Sequence, residues 1–363
     1  MEKLKITVLF NEERLGHEST HDEVVDQIAN ALTENGHKVT LLGISDNLHE
    51  LIDKIEQEKP DLVFNVCESF AENDYAEMYV AGVLSMMNVR YTGTGAAGMA
   101  FRQDKAVTKK LLAFHNVPCP NYAIFSKDQL EFAGKMKFPL FVKALHRDAS
   151  EGIDESSLVN DYASMMKKID YIHKEVMDTA LVEEYIDGRE FYVSILGNYP
   201  NEVVLPLIEL DFSKLPSDRP RIYSEEAKFD EDSEVYNEIN FGVSTDLTPE
   251  LRSSIEMIGK KAASALQVYD YARVDIRLAK DGVPYVVEVN ANPYLDQTAE
   301  FAVAALQAGM AYPTLINRIV EISWERWNQM ESRKKLKRVK KEHKEPVKKE
   351  VHKKEEPKKE TKN

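Results

Sequence analysis

The sequence has few cysteines, no long hydrophobic run and no signal-peptide pattern. Its 363 residues include two cysteines, Cys67 and Cys119, whose spacing matches neither a metal motif nor a disulfide framework. They favour thiols in a reducing compartment. No apolar stretch approaches the roughly 20 residues that a membrane-spanning helix needs, and the N-terminus lacks an apolar core with a small-residue cleavage site. We therefore expect a cytoplasmic protein with no membrane span.

A GxGxxG motif is also missing after the first predicted strand, so this strand and its turn give no support to a dinucleotide site. Apolar strand patterns at residues 5–10, 38–44 and 61–66 instead alternate with amphipathic helical patterns. The first helical pattern ends at Asn35-Gly36, which is a typical C-terminal stop. This alternation predicts a parallel sheet that gathers ligands at the carboxyl ends of its strands.

The pattern changes in the middle of the chain. A Gly-rich turn leads into a helix that stops at Val117-Pro118, and from about Asn121 the segments are short, β-branched and aromatic. Such segments predict antiparallel sheets with occasional helices. Two later strands, at residues 272–278 and 286–290, are expected to pair through a turn at Asp281-Gly282. Amphipathic helices from Glu300 to about Met330 are expected to close the ordered part.

The net charge of −15 hides an asymmetry between the C-terminal segment and the rest of the chain. From Arg333 to Asn363 there are 15 Lys and Arg against 6 Asp and Glu, so this segment carries +9 and the remainder carries −24. The segment has almost no apolar residues to bury, which predicts disorder. It is either a weak electrostatic handle for nucleic acid, anionic membrane or an acidic partner, or a solubilising tail without a specific partner. Interspersed glutamates and the lack of aromatic residues for base stacking favour the second alternative.

Oxygen-bearing side chains recur on the two late strands. Asp275 lies in an apolar run, and Glu288 and Asn290 are separated by one residue, so they share a face of their strand. If the two strands pair, all three side chains converge. Two carboxylates and an amide oxygen suit Mg²⁺. The alternative is that these acids face solvent on a half-exposed sheet, but unpaired charge inside apolar runs is costly, which favours a metal site.

Lysines that could hold phosphate lie in three separate segments. Lys105 opens a helix, Lys143 lies among apolar neighbours in a strand, and Lys228 follows an acidic turn. Each alone is as easily explained by a surface lysine whose stem covers apolar area. Together with the acids they form a plausible phosphate site.

In order and spacing, these motifs resemble the ATP-grasp superfamily, and within it the D-alanine–D-alanine ligase family. The resemblance covers about residues 1–325, with its strongest pieces at residues 102–105, 138–145, 181–198, 223–229 and 286–293. It implies an α/β fold, with a Rossmann-like parallel-sheet substrate domain at 1–100. An ATP-grasp fold would follow, its two α+β subdomains at 101–195 and 196–330 clamping ATP. A disordered basic tail at 331–363 completes the expected organisation.

The resemblance also implies roles for individual residues. Phosphates of ATP would contact Lys105, Lys143 and Lys228. Adenine would lie at Glu183, Glu184 and Ile186, and the ribose at Glu190. The magnesium ligands would be Asp275, Glu288 and Asn290, holding two Mg²⁺ ions or Mn²⁺ in their place. The catalytic residues would be Arg273, which stabilises an oxyanion, Lys228 and Ser150, which matches a serine in the loop at 147–152 that closes over the phosphates.

The implied reaction is ATP-dependent joining of a carboxylate to an amine through an acyl phosphate. The substrates would be small molecules, and a homodimer is an open alternative to a monomer. The substrate-binding positions differ from the family pattern. This chain has Tyr294 where the family pattern has a glycine, Ala299 where it has a serine and Phe229 where it has a tyrosine. Cys67-Glu68 stands in place of a His-Gly pair, and Glu13 or Glu18 is the candidate replacement for an N-terminal glutamate.

The function is therefore open among alternatives. The retained lysines, Arg273 and the metal ligands favour a carboxylate–amine ligase with altered substrates. A genuine D-alanine–D-alanine ligase with a diverged pocket is the second alternative, and a non-catalytic nucleotide-binding or interaction protein is the third.

Overall fold

The computed structural model describes residues 2–342, except 16–17, 128–129, 134, 149, 217–218 and 231. The part of the expected tail beyond residue 342 lies outside the described residues. None of the described helices is long and apolar enough to cross a membrane. The chain divides into two compact units, residues 1–324 and 325–363, and the whole candidate site belongs to the first.

The N-terminal part contains the predicted parallel sheet. Its strands lie in the order β4-β1-β5, with all pairs parallel, which confirms the prediction. The Asp22 side chain accepts a hydrogen bond from the Val24 backbone N–H and so caps α1, whose apolar face is buried. The elements are β1 (Lys5–Asn11), β2 (Glu13–Leu15), β3 (Glu18–Thr20), α1 (Glu23–Glu34), β4 (Lys38–Ile44), α2 (Leu48–Glu58), β5 (Leu62–Asn65), α3 (Glu77–Met86), α4 (Ala96–Gln103) and α5 (Lys105–Phe114).

The middle of the chain forms an antiparallel sheet, as the short β-branched segments predict. Its strands lie in the order β7-β6-β10-β8-β9, and buried side chains of its helix pack against it. A short π-helix, Ile172–Val176, follows that helix. The elements are β6 (Tyr122–Phe125), β7 (Leu130–Ala133), β8 (Leu140–Ala144), β9 (Leu158–Val159), α6 (Tyr162–Tyr171) and β10 (Ala180–Glu184).

A larger antiparallel sheet follows, in the order β14-β13-β11-β15-β16, with β12 pairing at one end of β11. Its apolar face packs against α9. The elements are β11 (Gly188–Leu196), β12 (Val203–Val204), β13 (Ile208–Asp211), α7 (Glu225–Phe229), α8 (Glu234–Glu238), β14 (Asn240–Val243), α9 (Pro249–Ala265), β15 (Tyr271–Ala279), β16 (Pro284–Asn290), α10 (Glu300–Gln307) and α11 (Tyr312–Glu342).

The pairing of β15 with β16 confirms the predicted hairpin. Asp275 lies opposite Glu288, and Arg273 lies opposite Asn290. The register then shifts, since Ile276 pairs with Val286. The extra residue bends the strand locally, as a β-bulge does, next to the two carboxylates.

The last helix is longer than the sequence predicts. The apolar pattern ends near Met330, whereas α11 continues to Glu342. Lysine, arginine and glutamate have high intrinsic helix propensity, so the basic segment can extend a helix that begins on buried apolar residues.

Candidate active site

A cavity lies between the middle sheet and the larger sheet. Apolar side chains of Phe141, Ile153 and Ile222 form part of its wall, beside the rings of Tyr185 and Tyr223. Most of the predicted site residues line it as well: Lys143, Ser150, Glu183, Glu184, Ile186, Glu190, Lys228, Asp275 and Glu288. The structure thus brings together residues that are more than a hundred positions apart in the sequence.

The other predicted residues lie directly behind this lining. Lys105 is 3.7 Å from a carboxylate oxygen of Glu288. The Arg273 guanidinium donates to both oxygens of Asp275, at 2.8 and 3.1 Å, and the Asn290 amide donates to the same carboxylate at 3.2 Å. The two candidate metal carboxylates are therefore each in contact with a predicted cation, Asp275 with Arg273 and Glu288 with Lys105.

The candidate metal ligands form a carboxylate pair across two strands. Burial raises the pKa of Asp275 to about 6, although Arg273 acts in the opposite direction, and the negative charge of Glu288 adds to the rise. The described residues contain no cluster of three or more His, Cys, Asp and Glu side chains suited to a metal, because the third candidate ligand is an amide. Two carboxylates and an amide are hard oxygen ligands that fit a divalent cation, and Arg273 and Lys105 also contact the two carboxylates.

Glu183 lies between two lysines at the floor of the cavity. Its Oε1 is 2.6 Å from Lys109 Nζ and its Oε2 is 3.3 Å from Lys143 Nζ, and all three side chains are buried. Burial opposes ionisation of Glu183, but the two lysines outweigh it and lower the pKa of this carboxyl. Burial lowers the pKa of Lys143, so an anion in the cavity would stabilise its charged form.

Lys109 is a residue that sequence reasoning missed. It follows Lys105 by four positions on α5, so both lysines lie on one face of that helix. This spacing is the signal that could have found it.

Arg277 is a second missed residue. Its guanidinium donates two hydrogen bonds to Oε2 of Glu190, at 2.8 and 2.5 Å, and one to the Ile186 carbonyl at 3.3 Å. It therefore orients both the expected ribose ligand and the segment expected to bind adenine. Strand alternation was the available signal, because Arg273, Asp275 and Arg277 share one face of β15.

Tyr223 brings Ser150 and Lys228 together. The Ser150 hydroxyl donates to the Tyr223 carbonyl at 3.1 Å, and Lys228 Nζ lies 5.2 Å from the centre of the Tyr223 ring.

The guanidinium of Arg273 lies over a different ring, 4.4 Å from the centre of Tyr192, and is 3.2 Å from the Glu300 carboxylate. Residue 149 of the expected phosphate loop lies outside the described residues.

A chain of ion pairs leads away from Lys105. Lys105 Nζ is 2.5 Å from the Arg147 carbonyl and 3.2 Å from Oδ1 of Asp148. Oδ2 of Asp148 is 2.5 Å from Arg102, whose other amino group contacts Glu77. Burial would raise the pKa of Asp148, but Lys105 and Arg102 outweigh it and lower that pKa to about 2. Sequence reasoning missed Arg102, Asp148 and Glu77, because their pairing joins distant segments.

A second cavity lies where the N-terminal part meets the loop after β16. The hydroxyl of Tyr294 donates to both oxygens of Asp22, at 2.9 Å each, and thereby ties this loop to the start of α1. Burial raises the pKa of the Cys67 thiol, which keeps it protonated. Among the described residues that line this cavity, the polar ones are Asn11, Thr20, His21, Asp22, Cys67, Glu68, Glu77, Tyr271, Asn292 and Tyr294.

Comparison with known proteins points to one family. The sequence model described as "D-ala D-ala ligase C-terminus" matches residues 111–321. An uncharacterized protein of Sinorhizobium fredii is 32% identical over 309 residues, covering 84% of this chain and 88% of that protein. The D-alanine–D-alanine ligase of Carboxydothermus hydrogenoformans is 30% identical over 309 residues, covering 83% of this chain and 92% of that protein.

The fold has a matching solved structure. The crystal structure of D-alanine–D-alanine ligase from Bacillus anthracis complexed with ATP superposes with a TM-score of 0.68. It covers 90% of this chain and 99% of that chain at 22% identity. The α/β architecture read from the sequence is therefore confirmed.

Proposed function

The chain belongs to the D-alanine–D-alanine ligase family of the ATP-grasp superfamily, and we propose that it joins a small carboxylate or amino acid to an amine at the expense of ATP and with Mg²⁺. The observation that carries this proposal is the cavity between the two antiparallel sheets. It gathers a buried lysine, Lys143, the acidic pair Asp275 and Glu288, and an apolar slot beside Ile186.

The cavity offers a separate place to each part of ATP. Adenine would lie against the apolar wall near Ile222, with main-chain groups of Glu184 to Ile186 along its edge. The ribose hydroxyls would face Glu190, which Arg277 holds in place. Because Glu183 is bound to two lysines, its contribution is to hold Lys143 rather than to present a free carboxylate.

The phosphates would lie at the lysines. Lys143 and Lys228 of the lining, with Lys105 behind it, would supply positive charge for them, and Ser150 lines the same cavity. Asp275, Glu288 and Asn290 would hold Mg²⁺, as two ions, with Mn²⁺ as a substitute. When bound, the metal neutralises negative charge on the transferred phosphoryl group.

The reaction follows from this arrangement in two displacements. A substrate carboxylate oxygen attacks the terminal phosphorus of ATP, ADP leaves, and an acyl phosphate forms. An amine then attacks the acyl carbon, and inorganic phosphate leaves as the amine loses a proton. Arg273, held by Asp275 and Glu300, would stabilise the negative oxygen of the tetrahedral intermediate.

The substrates would enter from the second cavity. Within the proposed organisation, residues 1–100 supply part of that cavity, and residues 101–195 and 196–330 clamp the nucleotide. Residues 331–363 form a basic tail outside the reaction, in weak contact with anionic partners at most. We propose substrates other than two D-alanines, because Tyr294 bonded to Asp22 occupies a position that the family pattern gives to glycine.

A genuine D-alanine–D-alanine ligase is the second candidate, since the Carboxydothermus relative carries that name at 30% identity. One experiment separates the candidates. The full chain is incubated with ATP and Mg²⁺, in one arm with D-alanine and in another with a metabolite extract, and ADP and new products are measured.

We expect ADP release and a new amide product in the extract arm, with little release from D-alanine alone. Rapid dipeptide formation in the D-alanine arm would establish the second candidate instead. Binding of ATP without ADP release across a broad panel of acids and amines would overturn both and favour a non-catalytic nucleotide-binding protein.

A further inference from the structure

The carboxylate of Asp148 forms an ion pair with Lys105, a lysine that the proposed reaction assigns to phosphate binding. Asp148 Oδ1 lies 3.2 Å from Lys105 Nζ, and the Arg147 carbonyl lies 2.5 Å from the same nitrogen. Lys105 is 7% exposed, so its ammonium has little access to water. An incoming phosphate must therefore exchange with an anion of the protein itself.

Asp148 has a second cationic partner. Its Oδ2 lies 2.5 Å from the Arg102 guanidinium, while Oδ1 faces Lys105. The two oxygens of this carboxylate are thus shared between two cations. If a phosphate binds Lys105 and displaces Asp148, the Asp148 carboxylate keeps its ion pair with Arg102 and is not left unpaired.

Arg102 is itself fixed from the other side. Its second amino group binds Glu77, which is 3% exposed and lies at the first turn of α3. The guanidinium is held between two carboxylates, one on a helix of the N-terminal part and one on the segment after β8. It can keep its position when the contact between Asp148 and Lys105 is broken.

We propose that the Asp148 carboxylate binds Lys105 in the absence of nucleotide and is displaced from it by a phosphate when ATP binds. Arg102, anchored on Glu77, is a positioning residue that retains Asp148 when the phosphate arrives. This inference rests on the proposed function, because it takes Lys105 to be a phosphate ligand. Its consequence is that the affinity for ATP is set in part by an exchange of anions.

Removing Asp148 and removing Arg102 should change the affinity for ATP in opposite directions. Asp148→Asn removes the competing charge from Lys105, so nucleotide binding tightens. Arg102→Met removes the cation that retains Asp148, so displacing Asp148 from Lys105 leaves its carboxylate without a cationic partner and binding weakens. In the double variant position 148 carries no charge, so the loss caused by Arg102→Met disappears, and Glu77 loses its arginine partner alike in both proteins that carry Arg102→Met.

The test is a double-mutant cycle on nucleotide binding with the full chain. Isothermal titration with ATP and Mg²⁺ is carried out on the parent protein, Asp148→Asn, Arg102→Met and the double variant. We expect roughly fivefold or greater tightening in Asp148→Asn and a comparable weakening in Arg102→Met. The double variant should bind as tightly as Asp148→Asn. Adenosine, which lacks phosphates, should bind all four proteins equally.

Arg189→Met is the matched control, because Arg189 also lies between two carboxylates, Glu209 and Asp246. This variant should leave ATP binding unchanged. Asp148→Asn binding no tighter than the parent, or a double variant as weak as Arg102→Met, overturns the inference while the proposed function stands. If Arg102→Met does not fold, Asp148→Asn alone decides. A parent protein that binds no ATP overturns the proposed function and the inference with it.

Discussion

The two cavities of the first unit differ in the charge that lines them and in their likeness to the family pattern. The cavity between the antiparallel sheets combines lysines with carboxylates at the positions that the resemblance assigns to ATP and Mg²⁺. The cavity at the N-terminal part carries Asp22, Glu68 and Glu77, and no Lys or Arg appears among the described residues that line it.

Under the proposed function, this difference follows from what each cavity would have to recognise. Phosphoryl transfer requires fixed positive charge around the phosphates whatever the substrate is, so the nucleotide cavity has little freedom to change. Recognition of a small acid or amine depends on cavity shape and a few polar groups. Under the proposed function, Tyr294 and Cys67 would alter the substrate and leave the reaction unchanged.

The largest expected effect is the loss of a metal ligand in the nucleotide cavity. Asp275→Asn removes one of the two paired carboxylates and one partner of Arg273. We expect ADP release in the metabolite-extract assay to fall by about a hundredfold or more, with a higher Mg²⁺ concentration needed for half-maximal rate. Asp211→Asn, on an exposed strand end, is the control. An Asp275→Asn protein with unchanged Mg²⁺ dependence would contradict the assignment of the metal site.

A smaller effect is expected at the substrate cavity. Tyr294→Gly removes the ring and its bond to Asp22, which opens space at a position that the resemblance assigns to glycine. We expect ADP release with D-alanine to rise by roughly tenfold, while the affinity for ATP stays within about twofold. Tyr294→Phe removes only the hydroxyl and serves as the comparison. If Tyr294→Gly instead weakens ATP binding strongly, the two cavities are not independent.

The smallest effect concerns stability and pH. Burial raises the pKa of Glu77 from its ordinary 4.5 to about 7, so the folded chain binds this proton more tightly than the unfolded chain. This difference in proton binding contributes about 3 kcal/mol to the free energy of unfolding below pH 4.5, and the contribution is lost as the pH rises toward 7. Glu77→Gln does not titrate and should lack this loss.

The measurement is the free energy of unfolding by urea between pH 4 and pH 8. The difference between Glu77→Gln and the parent should move in favour of Glu77→Gln as the pH rises. Glu131→Gln, at an exposed carboxylate, should show no such trend. A difference that stays constant with pH would mean that Glu77 is ionised throughout that range in the folded chain.

The sequence predicts those features that depend on local pattern. The parallel sheet, the β15–β16 hairpin and the facing of Asp275 with Glu288 all follow from strand alternation and a turn at Asp281-Gly282. The matched positions of Lys143 and Glu190 follow from motif spacing. The structure places both of them in the cavity between the two antiparallel sheets.

Ion pairs between distant segments could not be predicted in this way. Glu77 and Arg102 lie on different helices, and Lys109 meets Glu183 across a helix and a strand. No local period connects such partners, because the fold alone brings them together. The length of α11 was missed for a different reason: high helix propensity extends it beyond its apolar pattern.

The most direct test of the central claim is an isotope transfer. The carboxylate substrate found in the extract screen is labelled with ¹⁸O in both carboxyl oxygens and incubated with the full chain, ATP, Mg²⁺ and the amine. We expect the released phosphate to carry one ¹⁸O atom, because the carboxylate oxygen attached to phosphorus in the acyl phosphate leaves with it. Phosphate without ¹⁸O, formed together with the amide, would contradict an acyl-phosphate mechanism for this chain.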